Sequence, residues 1–75
     1  MDPSLAQRKF GRAVRRRREA AGLSQEDFAF RAGIHRTYVS MMERGKGNPS
    51  LTVIVRVANV LESSLTSLMR EIERG

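Results

Sequence analysis

The spacing of apolar residues predicts α-helices along the whole chain. Apolar side chains recur every three or four positions, which is the period that places them on one face of a helix. In the first segment, for example, Phe10, Ala13 and Val14 share one face. We therefore predict a single all-α domain of five helices over residues 1–75. The predicted helix starts are Asp2 or Ser4, Ser24, Arg36, Ser50, and Ser63 or Ser64.

The segment of about residues 24–44 predicts two short helices joined by a glycine turn. Ser24 is a good N-cap, and Glu26 and Asp27 lie in the first turn, where the helix dipole favours acids. The turn Ala32-Gly33-Ile34 then leads to the second helix. Two short helices around such a turn, the second with a cationic outer face, are typical of a helix-turn-helix.

The second of these helices divides into an apolar and a polar face. With a start near Arg36 and steps of about 100° per residue, Val39 and Met42 lie on one side. The other side is an arc of about 140° that holds cations, hydroxyls and a thioether but no acid. Such an arc suits the major groove of DNA, and an ordinary solvated helix is the alternative. The arc consists of Arg36, Thr37, Ser40, Met41 and Arg44.

These two helices and the loop after them read S-Q-E-D-F-A-F-R-A-G-I-H-R-T-Y-V-S-M-M-E-R-G-K-G-N-P-S-L. The stretch resembles the Cro/phage-repressor-type helix-turn-helix family, and the resemblance extends from about Val14 to Met69. Within it, R-T-Y-V-S and E-R-G-K-G-N-P-S-L are most similar to the small controller proteins of restriction–modification systems. The resemblance implies a homodimeric transcriptional regulator that binds a (pseudo)palindromic double-stranded DNA operator. It also implies a bacterial or phage protein that works on the nucleoid, with RNA polymerase as a further candidate partner.

Individual residues can be assigned contacts with the bases or with the phosphates of DNA. The Arg36 guanidinium can bind guanine O6 and N7, and Thr37 can contact a thymine methyl group. Free backbone N–H groups at the start of the first short helix suit a phosphate, and the resemblance gives that contact to Gln25. The predicted base-reading residues are Arg36, Thr37, Ser40 and Met41. The predicted phosphate-binding residues are Gln25, Tyr38, Arg44 and Lys46.

Glu43 lies between the two faces of the second short helix, and a half-buried carboxylate needs a partner. The helical wheel alone does not choose between Arg17 and Arg18. The resemblance implies a structural ion pair of Arg18 with Glu43. Arg17 falls inside the apolar stripe of the first helix, and we expect its guanidinium to extend outward along its apolar stem.

The fifth predicted helix, at about residues 63–74, carries a narrow apolar stripe. The stripe fits either the core of the chain or a two-fold dimer interface, and the resemblance favours the interface, together with the apolar back of the fourth helix. Glu62 stands where the family favours glycine, and Ser63 where it favours an aliphatic residue. The predicted interface residues are Leu65, Leu68, Met69 and Ile72.

The charge of the chain is concentrated in its first part. Of 14 Lys and Arg residues, 11 lie in residues 1–46 with only 5 of the 8 acids, and residues 47–75 are neutral. A basic half attracts polyanions in a salt-dependent way. An anionic membrane surface is a weaker alternative, because no helix pairs a basic face with large exposed apolar residues. No apolar run approaches the roughly 18 residues of a membrane span, and the N-terminus lacks the apolar core of a secretory signal.

The residue types that catalysis needs are sparse. The chain has no cysteine, which excludes disulfides and thiolate chemistry and fits a reducing cytoplasm. His35 is the single histidine, and we expect it to cap the second short helix poorly. We therefore predict no enzyme activity, no metal, no cofactor and no small-molecule ligand. Two alternatives to the operator-binding regulator stay open, a protein–protein transcription adaptor and an antitoxin that also binds a toxin.

Overall fold

The computed structural model describes residues 1–74, which form five α-helices and no strand. This confirms the all-α, five-helix prediction. Gly75, the last residue of the predicted domain, lies outside the described residues. The helices are α1 (Pro3–Ala20), α2 (Gln25–Ala32), α3 (Arg36–Glu43), α4 (Leu51–Val60) and α5 (Leu65–Arg74).

Side-chain caps set the starts of these helices, as the sequence predicts. The Asp2 carboxylate accepts the backbone N–H of Leu5 at 3.1 Å, which starts α1 with proline in its first turn. Ser24 and Ser50 accept the N–H groups three residues ahead in α2 and α4. Ser64 does the same for α5, at 3.0 Å from the N–H of Ser67. Each cap satisfies a backbone donor that the first helical turn leaves without a partner.

The helix ends rely on left-handed residues. Gly33 and Gly45 follow α2 and α3 with φ of 71° and 75°, a conformation that glycine adopts without steric cost. The corresponding residue after α4 is Glu62, with φ of 53°, and it is the only non-glycine residue of positive φ among those described. The α4–α5 joint therefore holds an unfavourable backbone conformation where glycine would relieve it.

The core contains apolar side chains from all five helices, with α1 packed against α3 and α5, and α2 packed against α3 and α4. Gly11 lets α1 approach α3 closely, because a Cβ atom there would lie against the carbonyl oxygens of Met42 and Glu43. The largest fully buried side chains are Phe28, Met42, Leu68, Val14, Val39 and Val57.

The stripe of α5 is divided between core and surface. Leu68 is fully buried within the single chain, whereas Ile72 is 7 % exposed and lines a surface groove beside Met69. Most of the surface of these two side chains is therefore covered by the chain itself, since α5 packs against α1 and α4, and their part in a dimer interface stays a prediction. Leu65 and Met69, at the edge of the stripe, keep exposed surface.

Arg17 does not extend into solvent, and this expectation was also wrong. Its Nε donates to Glu71 Oε1 at 2.8 Å, and its Nη1 donates to Ser63 Oγ at 2.7 Å. The guanidinium is thus held by two hydrogen-bond acceptors, Glu71 on α5 and Ser63 just before it. Ser63, a departure from the family pattern, supplies one of them.

No single helix among residues 1–74 is both long enough and apolar enough to cross a membrane, and α4 and α5 reach that length and hydropathy only when counted together across a bend of 101°.

Candidate nucleic-acid interface

The exposed side of α3 carries the predicted base-reading residues. Arg36 and Thr37 are exposed in the first turn, and Met41 is 41 % exposed one turn later. Ser40, between them, is half-buried. The opposite side of the helix is buried in the core, which fixes the rotation of α3 and keeps this face outward. The structure therefore places the four side chains on one surface, and their contacts with bases stay a prediction.

His35 caps α3, contrary to the expectation that it would cap poorly. Its Nδ1 accepts the backbone N–H of Thr37 at 3.0 Å. Only a ring nitrogen without a proton can accept a hydrogen bond, so the proton of the neutral ring lies on Nε2. The histidine thereby stabilises the end of α3 that carries Arg36.

The loop after α3 has a fixed path that exposes Lys46. Gly45 and Gly47, on either side of it, both have φ of 75°. Gln7 of α1 donates to the carbonyl oxygen of Gly47 at 2.7 Å, and Arg8 packs against Gly45. Lys46 itself is exposed, and its backbone N–H donates back to Met41 at 2.9 Å. The lysine therefore projects from an ordered loop beside the C-terminal end of α3.

The other predicted phosphate-binding residues differ in how exposed their side chains are and in whether these are already hydrogen-bonded. Arg44 is exposed, with its Nε 3.3 Å from the Ser40 carbonyl oxygen, and Tyr38 is half-buried against the core. Gln25, the first residue of α2, is half-buried, and its Nε2 donates to Glu43 Oε1 at 3.1 Å. Its side-chain amide is thus held in place. Because Ser24 takes the N–H of Asp27, only the N–H groups of Gln25 and Glu26 remain for an anion in the first turn of α2.

Arg18 is the arginine that pairs with Glu43. Its Nε and Nη2 lie 2.7 and 3.0 Å from the two carboxylate oxygens, and its Nη1 donates to the Leu23 carbonyl oxygen at 2.7 Å. Both residues are 8 % exposed. The hydrogen bond with Glu43 raises the pKa of Arg18 above its usual value, although burial alone acts to lower that pKa. Because Gln25 joins the same carboxylate, this cluster fixes α1, α2 and α3 relative to one another.

One contact was missed by the sequence reasoning, that of Glu71 with both Arg16 and Arg17. Glu71 borders the buried stripe of α5 just as Glu43 borders that of α3, and this position was the available signal. Phe30 is 87 % exposed, on the outer side of α2 where the helical period places it.

Metal binding has no visible basis in the described part of the chain. Within residues 1–74, no three His, Asp or Glu side chains gather closely enough to hold a metal ion.

Comparison with known proteins agrees with this geometry. The sequence model of the helix-turn-helix family matches residues 14–68. The control protein C.MunI of Mycoplasma sp is 37 % identical over 67 residues, which cover 88 % of this chain and 90 % of that protein. The control protein C.BamHI of Bacillus amyloliquefaciens is 43 % identical over 53 residues, covering 69 % of this chain and 65 % of that protein.

A solved structure shows the same arrangement of helices. The restriction–modification controller protein C.AhdI from Aeromonas hydrophila superposes with a TM-score of 0.77 at 42 % sequence identity, covering 88 % of this chain and 94 % of that one. The matched region includes both short helices, the turn between them and most of the core. The chain therefore belongs to the helix-turn-helix family of DNA-binding transcriptional regulators, in the Cro/repressor-type branch that contains the restriction–modification controller proteins.

Proposed function

We propose that this protein is a homodimeric restriction–modification controller that reads a (pseudo)palindromic operator with α3 of each copy. The observation that carries the proposal is the outward face of α3, where Arg36, Thr37 and Met41 are exposed above a buried apolar side. A face held rigidly by the core can meet base edges without first becoming ordered, which favours specific binding. The similarity to C.AhdI and C.MunI supports the controller role.

Phosphate contacts on both sides of α3 would position this face in the groove. Lys46 lies beyond its C-terminal end, and the N-terminus of α2 is held near Glu43 through Gln25. Backbone N–H groups at a helix start and a lysine on an ordered loop both bind phosphate without reading sequence. We therefore propose that these groups set the position of the protein along the DNA, and that α3 determines which base sequence is bound.

The dimer interface in this proposal is the apolar edge that α4 and α5 leave exposed. Leu51 is 71 % exposed, and Val55 and Leu65 are more than a third exposed. Met69 of α5 and Ile54 of α4 also line an apolar groove of about 190 Å³. Large apolar side chains left exposed on neighbouring helices are typical of a protein contact site. A second copy of the chain is the occupant we propose, because an inverted-repeat operator requires two-fold symmetry.

The two alternatives receive no support from a specific observation. An adaptor does not need a cationic α3 face backed by phosphate-binding groups, and no surface of the described residues points to a toxin. As a regulator of transcription, the protein would act in the cytoplasm, where bacterial DNA lies.

Selection of bound duplexes from a random pool tests the proposal directly. The full chain should enrich one sequence with two inverted half-sites whose centres lie about one helical turn of DNA apart or a multiple of it. The variant Arg36→Ala should enrich a site that has lost its preference at one position of each half-site, whereas Arg31→Ala, which removes an exposed arginine from α2, should enrich the same site as the wild type. Enrichment of a site without two-fold symmetry contradicts the dimer, and no enrichment contradicts operator binding.

A further inference from the structure

A second cationic surface lies between α1 and α5. Arg18 on α1 faces α3 through Glu43, whereas Arg16 and Arg17 face α5 through Glu71. On this α5 side the two helices form a groove of about 370 Å³. We call it the arginine groove, and it is lined by Arg16, Arg17, Ser67, Arg70, Glu71 and Arg74.

The single carboxylate of the groove is already neutralised. Glu71 forms ion pairs with both Arg16 and Arg17. Arg17 uses its remaining donors on Ser63 and Ser67. The groove as a whole therefore keeps a net positive charge.

Arg70 and Arg74 supply the charge that is not compensated. They lie one turn apart on α5, both are exposed, and neither forms an ion pair within residues 1–74. The helix dipole favours a cation in the last turn, where Arg74 lies, but like charges four residues apart repel each other. Lys9 and Arg12 of α1 extend the same charge, since they line an adjoining depression of about 120 Å³.

We propose that the arginine groove is a second anion-binding site, for a ligand that carries two or more phosphate groups close together. Guanidinium groups bind phosphate oxygens through pairs of parallel N–H donors. Because the arginines lie on two helices, they can contact several phosphate groups at the same time. The site is separate from α3, because its arginines lie on α1 and α5 and no residue of α3 lines it. The phosphates could come from a free polyphosphate or from a nucleic-acid backbone.

Titration of the full chain with tripolyphosphate, followed by calorimetry at low salt, tests the site. The variant Arg70→Gln/Arg74→Gln should bind tripolyphosphate at least about tenfold more weakly, since a hydrogen bond to a charged group contributes about one order of magnitude in affinity. The matched control is Arg31→Gln/Arg56→Gln, which removes equal charge from exposed positions on α2 and α4. It should change the affinity by less than about threefold, because exposed charges outside the site act only through screened solvent.

A random duplex without the operator distinguishes the two sources of phosphate. If nucleic acid occupies the groove, the groove variant should lower the salt dependence of duplex binding by about 1 for each arginine removed, and the control should not. If a free polyphosphate occupies the groove, the groove variant should bind tripolyphosphate more weakly, and the salt dependence of its duplex binding should equal that of the wild type. Equal behaviour of wild type, groove variant and control toward both probes overturns the proposal. The melting temperature of each variant verifies that the exposed substitutions leave the fold intact.

Discussion

Arg18 and Glu43 form a two-point ion pair across 25 residues of sequence, with N–O distances of 2.7 and 3.0 Å. The pair connects α1 to the last turn of α3, and only 8 % of either residue remains exposed. A buried charge that loses its partner stays desolvated without compensation, so the pair is more costly to break than to replace as a whole.

Glu43→Ala should destabilise the fold by about 3–4 kcal/mol, because it leaves the Arg18 guanidinium buried without its carboxylate. Gln25 loses an acceptor in the same variant. Urea denaturation measures the change in the free energy of unfolding. Glu26→Ala, which removes an exposed carboxylate from the first turn of α2, is the control and should cost less than about 1 kcal/mol. An unchanged unfolding free energy for Glu43→Ala means that the carboxylate is solvated.

Glu62→Gly should stabilise the protein by about 0.5–1 kcal/mol. Glu62 has φ of 53°, where a side chain costs roughly 1–2 kcal/mol and glycine costs nothing, and the greater freedom of glycine in the unfolded chain offsets part of the gain. Asn59→Gly, at an exposed position in the last turn of α4, is the matched control and should lower stability slightly, because glycine is disfavoured within a helix. Thermal unfolding of both variants gives the comparison. A lower melting temperature for Glu62→Gly contradicts the idea that this joint is strained.

The fold could be predicted from the sequence because its signals are local. Caps such as Ser24 and Ser50 act within three residues, and the faces of a helix follow from its own periodicity. Contacts between distant helices were harder to predict. Arg17 found Glu71 and Ser63 because α5 packs against α1, and no pattern within α1 alone indicates this.

The candidate site could be predicted from the sequence about as well as the fold. The outward direction of Arg36 and Thr37 follows from the wheel of α3, and the structure has the same faces. The division of the α5 stripe depends on how far neighbouring helices cover it, so Leu68 and Leu65 could not be told apart by spacing. His35 was misjudged because a ring nitrogen served as the cap in place of a side-chain oxygen.

Leu65→Glu should produce monomers that stay helical, because Leu65 is 38 % exposed at the proposed interface and its replacement adds charge without opening the core. Sedimentation velocity gives the oligomeric state and circular dichroism gives the helix content. Leu68→Glu is the contrasting variant. It should unfold the chain, since it places a carboxylate in a fully buried position. A dimeric Leu65→Glu protein would move the interface away from this edge.

Arg36 and Lys46 should contribute to DNA binding in different ways. Arg36 lies in the first turn of α3, the end that reaches base edges in this motif, and a bidentate contact with guanine is worth about 1–3 kcal/mol of discrimination. Lys46 lies in the loop beyond α3 and offers a point charge on a flexible stem. If a dimer makes on the order of 6–10 phosphate contacts, its affinity should fall by roughly 10³–10⁵ between 50 and 200 mM salt.

Arg36→Ala should therefore weaken binding to the selected operator and relax preference at one position of each half-site. Lys46→Ala should weaken all duplexes by a similar factor and lower the salt slope by about 1 for each lysine lost from the complex. Titrations of the operator, of a variant with one half-site guanine replaced, and of random DNA separate the two effects, with Arg31→Ala as the control of equal charge. If Arg36→Ala weakens all three duplexes equally, Arg36 binds phosphate. Base preference must then come from Thr37, Ser40 and Met41 or from the shape of the DNA.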